Sequence, residues 1–153
     1  MSKHSAGILL YRFTPALEFF LVHPGGPFWA KKDEGAWSIP KGEFTDEDPL
    51  AAALREFEEE TGVVLSGDFI PLSLVKMKNG KIIHAFAQEN NLQVTDFVSN
   101  TFLFEWPPKS GKKMEIPEVD QWEWFDIVTA KKKISGGMIA LIEEIEGIAN
   151  SKF

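Results

Sequence analysis

The chain contains no cysteine. Disulfide bridges and thiolate metal sites are therefore excluded, and a reducing cytoplasm is the default setting. Arginine is almost as scarce, since only Arg12 and Arg55 occur among 16 basic residues, which face 23 acidic ones. A net charge of −7 with no basic tract argues against a surface that coats nucleic acid. No stretch approaches the roughly eighteen consecutive apolar residues of a membrane span. The apolar part of the opening segment MSKHSAGILLYRF is too short, and turns polar too soon, for a secretory signal. Neither a membrane nor a nucleic-acid partner is expected. Repeats and low-complexity tracts are also missing.

What is present suits a folded domain. The 153 residues are 44% hydrophobic and 25% charged, with 13 Phe and 5 Trp. That length and balance fit one domain, 1–153, with a proper core. Because the protein is acidic, a polyanionic small molecule can bind it only if cations bridge the two. The distribution of the carboxylates thus becomes the central question.

Two β-rich runs, 5–13 and 17–24, flank Thr14-Pro15-Ala16 and read as a hairpin. A long loop over 24–36 contains Pro24-Gly25-Gly26-Pro27 and Gly35. A short strand at Trp37-Ser38-Ile39 runs into Pro40-Lys41-Gly42. Asp48 and Pro49 suit the cap and first position of a helix, and Gly62 suits its end. Within it, Leu50, Ala53, Leu54 and Phe57 form one apolar stripe. Residues 69–77 and 81–88 pair around Asn79-Gly80. A strand over 99–106 stops at Pro107-Pro108, and 107–118 reads as a loop. Residues 121–126 form the last strand. Helices follow over 127–133 and 136–149, with Ile139, Leu141, Ile142, Ile145 and Ile148 as a core stripe. This order predicts an α/β protein with a mixed sheet flanked by helices.

The first helix carries Glu56, Glu59 and Glu60 at i, i+3 and i+4, opposite or beside the apolar stripe. Three carboxylates so close repel one another unless hard divalent cations sit between them. Arg55, four residues before Glu59, can pair with it and hold one rotamer. Glu58 points elsewhere and is assigned no role. Taken alone, a glutamate-rich helix face is ordinarily solvated surface. Its context points the other way: strand, Pro-Lys-Gly, loop, helix and glycine frame the carboxylates closely.

The segment Gly42–Val63, GEFTDEDPLAAALREFEEETGV, resembles the Nudix box, whose pattern is G-x5-E-x7-R-E-U-x-E-E-x-G-U with U a bulky aliphatic residue. Arg55 to Val63 match its second half, with Phe57 at the first U, and Glu47 precedes Arg55 at the spacing the pattern asks. The chain departs upstream, where four residues rather than five separate Gly42 from Glu47. The resemblance implies a Nudix-type α/β/α sandwich with a central mixed sheet. It implies Glu56, Glu59, Glu60 and the Gly42 carbonyl as ligands of Mg²⁺ or Mn²⁺, Arg55 as orienting partner, and Glu47 as a supporting ligand or loop anchor. Relatives often add a carboxylate from a loop before the last strand. Glu118 occupies such a place, with an exposed loop acid as its alternative reading, and Glu105 is a second candidate.

The implied activity is hydrolysis of a pyrophosphate bond in a nucleoside diphosphate linked to another group. Divalent metal neutralises phosphate oxygens and acidifies water, and a carboxylate takes the proton. Either Glu59 or Glu118 fits that base. Pro40-Lys41-Gly42 resembles the diadenosine-tetraphosphate hydrolase branch, so a dinucleoside polyphosphate is the first substrate expectation, with Lys41 reaching a phosphate. Nucleoside triphosphates and nucleotide sugars follow. Lys31, Lys32, Lys76, Lys78 and Lys81 could add positive potential. Phe28, Trp29 or Trp37 could stack on a base, although Trp37 also reads as core, and Trp29 is the substrate candidate. His23 and His84 are set aside as bystanders. A non-catalytic nucleotide sensor is the alternative class, and it predicts a broken glutamate set. Monomer and homodimer both remain open.

Overall fold

The computed structural model describes residues 3–13, 15–93 and 97–151; Thr14 of the first hairpin turn and the ends of the 1–153 domain lie outside them. The strands are β1 (His4–Phe13), β2 (Leu17–Pro24), β3 (Lys41–Phe44), β4 (Ile70–Pro71), β5 (Val75–Lys76), β6 (Ile82–Glu89), β7 (Thr101–Glu105), β8 (Lys113–Pro117) and β9 (Val119–Asp126). The helices are α1 (Pro49–Thr61), α2 (Ile127–Lys133) and α3 (Ile139–Asn150), with a single 3₁₀ turn at Gly136–Met138 leading into α3.

β1 is the spine of a seven-stranded mixed sheet ordered β4-β6-β1-β2-β9, with β3 and β5 attached to β1 and β6. Along one edge β1 pairs in parallel with β6 from His4 to Tyr11. Its other edge is shared. Residues 4–7 pair with β3 and residues 11–13 pair with β2. Between these two ladders the edge of β1 opens, and Ser38–Pro40 fills the gap through hydrogen bonds to Val22 and Ile8. That split in the sheet positions the site described below.

The period of two decides which side chain goes where. Ala6, Ile8 and Leu10 of β1 and Phe20 and Val22 of β2 enter the core under α1. Leu9, Tyr11, Phe19 and Leu21 enter the core under α2 and α3. Both faces are covered, so the runs are nearly all apolar, and the layers form the expected α/β/α sandwich. Among the described residues no helix is long and apolar enough to cross a membrane.

α1 begins and ends where the sequence predicts. The Asp48 side chain accepts the Ala51 N–H at 3.2 Å. Gly62 ends the helix at φ 79°, a left-handed conformation that costs glycine little, and donates its N–H to Glu58 at 2.7 Å. Its packing stripe is less as expected. Ala52, Ala53 and Phe57 are buried, Leu50 and Leu54 only partly, and Glu56 and Glu60 also turn inward.

Three expected elements differ. The predicted strand 37–39 makes only isolated bridges, from Ser38 to Val22 and from Trp37 to Ile134, and the continuous ladder starts at Lys41. The arm 69–77 is broken into β4 and β5, both paired with β6; Pro71 does not cause the break, since the Leu72 N–H beyond it still donates to the Ala85 carbonyl at 2.9 Å. The expected loop 107–118 contains β8, which pairs with β7 in a separate two-stranded ribbon. Lysines and prolines disguise that strand, and Ile116 is its one buried residue.

Candidate functional site

The gap between β2 and β3 opens into a cleft of about 520 Å³ over the C-terminal half of α1. Its lining includes Lys41, Gly42, Glu56, Glu59, Glu60 and Glu118, with Trp29 and Phe102 on the far wall. Arg55 stands beside it and organises the acids. Its Nη1 group donates to Glu56 at 3.0 Å and to Glu59 at 3.1 Å. Its Nε and Nη2 groups grip the two oxygens of Glu47 at 2.9 and 2.6 Å. This two-pronged contact is the strong form of an arginine–carboxylate pair. The shortened loop after Gly42 therefore still delivers Glu47 to Arg55.

Gly42 lets the strand approach the helix acid closely. A Cβ there would come within 2.1 Å of the Glu56 carboxyl group, which would have to move out of its present position. β3 thus runs with its backbone against the acid, and the adjacent Lys41 N–H donates to Glu60 at 2.9 Å. In strand β3, Lys41 and Gly42 enter the site as part of a ladder with β1.

Glu118 arrives by a longer route. The Asn100 N–H donates to the Glu59 carbonyl at 2.7 Å, filling an acceptor left open at the end of α1. The Asn100 carbonyl in turn accepts the Glu118 N–H at 2.8 Å, and the Glu118 carbonyl accepts that of Gly25 at 3.0 Å. The Trp122 indole N–H, at 2.9 Å from the Glu60 carbonyl, pins the same helix end to β9.

The outcome is a carboxylate cluster. Oxygens of Glu56, Glu59 and Glu118 lie within 4.8 Å of one another. Glu60 sits beside them, turned to Lys41. Crowding and burial raise the pKa values of Glu56, Glu60 and Glu118. The Glu60 carboxyl is pushed up to about 9, by burial first and then by Glu56 and Glu118. Glu56 is pushed up to about 7 by burial and by Glu59, against the pull of Arg55. Glu118 is raised by burial and by Glu59. Lys41 is lowered, by burial and then by Lys81, although Glu60, Glu43 and Glu56 oppose this. Like charges raise one another's pKa, and a cation placed among them reverses the effect. Three convergent oxygen donors and a backbone cradle are a donor set suited to a hard divalent cation.

The other candidates are placed as follows. Glu105 accepts the Lys109 N–H at 2.8 Å in the ribbon turn and does not line the cleft. Trp37 is buried in the core under α2 and α3. His84 contacts His4 at 2.9 Å. The His23 ring nitrogens contact Asp120 at 2.8 Å and the Lys32 carbonyl at 2.6 Å. Lys81 pairs with Glu43 at 3.2 Å. Asn100, Trp122 and Phe102 were not singled out from the sequence. Asn100 and Trp122 contribute a main-chain link and a long-range pin, and neither leaves a local pattern.

A sheet split at its spine, with a glutamate-bearing helix closing the gap, defines the class. A family model described as NUDIX domain matches residues 1–144, and the chain belongs to the NUDIX family. It is 29% identical over 107 residues to an RNA pyrophosphohydrolase of Bartonella tribocorum, an alignment covering 60% of this chain and 57% of that protein. The chain thus spans little more than half of that relative's length. Two solved structures share the fold. One is a C. elegans Ap4A hydrolase binary complex, with TM-score 0.67 and 20% identity over 96% of this chain and 98% of that one. The other is the NUDIX domain of Shewanella oneidensis NrtR complexed with ADP ribose, with TM-score 0.68 and 17% identity over 97% and 89%.

Proposed function

We propose that the chain is a pyrophosphohydrolase that cleaves a nucleoside diphosphate linked to a second group, and that a dinucleoside polyphosphate is its substrate. The observation carrying this reading is the convergence of Glu56, Glu59 and Glu118 oxygens within 4.8 Å at a cleft that Lys41 also lines. An intact acid set is the opposite of what a non-catalytic sensor requires. The Ap4A hydrolase named above supports the choice of substrate, as does the Pro40-Lys41-Gly42 entry to the helix loop. The net charge of −7 supports a small nucleotide over a long nucleic acid.

Glu56, Glu59 and Glu118 would hold Mg²⁺ or Mn²⁺, with Glu60 and the Gly42 backbone beside them. When bound, such an ion supplies charge that offsets the phosphate oxygens and acidifies water. The protein does the rest. Arg55 locks Glu56 and Glu59 in position, and Glu47 locks Arg55. The Lys41 ammonium faces the same space and attracts the phosphate chain. Glu118 receives no Arg55 N–H, unlike Glu59, and its pKa is raised; it is the acid better suited to take a proton from the attacking water.

The test is a cleavage panel with Mg²⁺ or Mn²⁺ and with EDTA. Diadenosine tetraphosphate, ATP, a nucleotide sugar and a 5′-triphosphorylated oligoribonucleotide are incubated with the full chain. Diadenosine tetraphosphate should give the highest kcat/KM, and EDTA should abolish turnover. Tight binding of one compound with no cleavage of any would replace the hydrolase with a sensor.

A further inference from the structure

His23, near the end of β2, is 2% exposed and does not line the carboxylate cleft. Its ring packs edge-on against Trp37. Nδ1 lies 2.8 Å from Asp120 and Nε2 lies 2.6 Å from the Lys32 carbonyl. A carboxylate and a carbonyl only accept, so both contacts are hydrogen bonds when each ring nitrogen carries a proton. A neutral ring would leave two acceptors facing each other at a buried position. Both partners belong to segments that build the cleft. Asp120 is the odd residue in the pairing of β2 with β9: His23 faces Gln121 and Pro24 faces Val119, so Asp120 is left without a place in the ladder. Such a bulge breaks the period of two and re-aims the chain. Val119 accordingly enters the core under α1 together with Trp122 and Trp124, although an odd number of positions separates it from each. The bulge thus sets the direction in which the chain joins β9 from Glu118. Gly25 presses on the same turn from the other side. Its N–H donates to the Glu118 carbonyl at 3.0 Å, and a Cβ there would lie 2.1 Å from the Pro117 carbonyl oxygen.

Resting on the hydrolytic reading above, we infer that His23 is a positioning residue: protonated on both nitrogens, it clasps the β9 bulge to the 24–36 loop and thereby holds Glu118 within reach of Glu59. It acts through Asp120, two residues beyond Glu118, and through the loop that delivers Gly25 to the Glu118 carbonyl. The far end of that loop has its own ties. Asp33 accepts the Trp37 indole N–H at 2.8 Å and pairs with Lys133, and the Gly35 N–H donates to the Lys132 carbonyl at 3.1 Å. Loss of the clasp should therefore slacken the Glu118 turn and leave the domain folded. Asparagine and glutamine do not replace the ring, because both of their donors sit on one nitrogen and cannot reach acceptors on opposite sides.

Three measurements on the full chain test this. In ¹⁵N spectra recorded in EDTA near neutral pH, the His23 ring should carry a proton on each nitrogen; a single protonated nitrogen overturns the clasp. Mn²⁺ binding is then compared by calorimetry in wild type, His23→Gln, Glu118→Gln and the double variant. His23→Gln should weaken binding about tenfold when Glu118 is present. With glutamine at 118 it should cost less than about twofold, because the clasp then has no carboxylate to position. Equal losses in both backgrounds would make His23 a structural residue only and overturn the inference. On the best compound of the panel, His23→Gln should lower kcat about 10–100-fold and leave KM within about twofold; a change confined to KM overturns it. Should the buried substitution unfold the chain, Asp120→Ala opens the clasp at its partly exposed end and should reproduce these losses. Asp120→Asn keeps an acceptor for Nδ1 and should recover most of them. Wild-type binding and kcat in Asp120→Ala overturn the inference as well. The Mn²⁺ cycle needs no bond cleavage. Coupling of His23 to Glu118 in a chain that hydrolyses nothing would remove the hydrolase and leave the clasp standing. Turnover of the panel without that coupling would do the reverse.

Discussion

The two faces of the sheet draw on the same strands and settle their polar groups in opposite ways. Under α2 and α3 the core cluster is built of hydrophobic side chains, with Tyr11 and Trp37 bringing a hydroxyl and an indole N–H, and no carboxyl is buried there. The buried His23 at its margin meets an acceptor at each ring nitrogen, in Asp120 and the Lys32 carbonyl. Under α1, Glu56 and Glu60 are buried beside other acids, and their pKa values rise to about 7 and about 9. The first face carries no buried carboxyl, and its orphaned polar atom among the described residues is the Ser5 hydroxyl. The other keeps a group of carboxyls whose ionised form the protein alone does not support. Stability and chemistry are thus divided across a single sheet, and substitutions on either side should separate them.

The sharpest separation is expected at Glu59. Glu59→Gln should lower kcat by roughly a thousandfold or more, about 4 kcal/mol of transition-state stabilisation, with the thermal midpoint unchanged. Steady-state kinetics on the best compound of the panel, beside a melting curve, measures both. Retained activity would sink the assignment of the helix carboxylates. The converse experiment is Leu141→Ala on the far face, where the side chain is 1% exposed. It should cost about 2–5 kcal/mol in urea unfolding and leave kcat per folded molecule intact.

Arg55→Lys falls between these. Lysine keeps the charge and loses the two-pronged grip on Glu47. A loss of about 10–100-fold in kcat/KM is expected, the usual scale for groups that orient ligands, along with weaker Mg²⁺ binding by calorimetry. A variant indistinguishable from wild type in both would mean that the Glu47–Arg55 contact only secures the loop.

The smallest effect is one of pH. An unfolded glutamate titrates at about 4.3, whereas burial and neighbouring acids push folded Glu56 up to about 7 and Glu60 up to about 9. Between these values the folded chain holds protons that the unfolded chain has released. The contribution is therefore fully present below the unfolded pKa and is lost as pH rises to about 9. In EDTA, urea midpoints should decline over that window, and Glu60→Gln should flatten the decline. Mg²⁺ should restore the high-pH end, because a cation favours the ionised carboxylates. A midpoint that instead climbs with pH in EDTA would contradict the proton-holding description of this face.

Much of α1 could be read from the chain because its determinants are local. Asp48, Pro49 and Gly62 act within a turn of the helix ends, and Arg55 reaches Glu59 over four residues. The last helix, α3, follows from its apolar spacing in the same way. The site's remaining half depends on distant partners. Lys41 and Gly42 form a strand only because residues 4–7 of β1 leave an edge for them. Glu118 meets Glu59 only because β8 pairs with β7 and Asn100 spans the two, and β8 offers a single buried apolar residue to announce itself. The inward turn of Glu56 and Glu60 was equally hidden, since a glutamate face reads as solvent-facing until a backbone without a Cβ is laid against it at Gly42.

Asn100 carries a consequence for how the molecule opens. Its amide and carbonyl join the end of α1 to Glu118 as two rungs of one splint, and neither rung belongs to the main sheet. Release of this short segment would loosen the link between Glu118 and Glu59 while every ladder of the seven-stranded sheet, and the Gly25 bond to the Glu118 carbonyl, stays closed. In deuterated solvent the amides of Asn100 and Glu118 should exchange together, ahead of those of β1 and β6, as one sub-global unit. The carboxylate cluster would then come apart before the protein does, and the cation that draws Glu118 and Glu59 together would slow exchange at both amides at once.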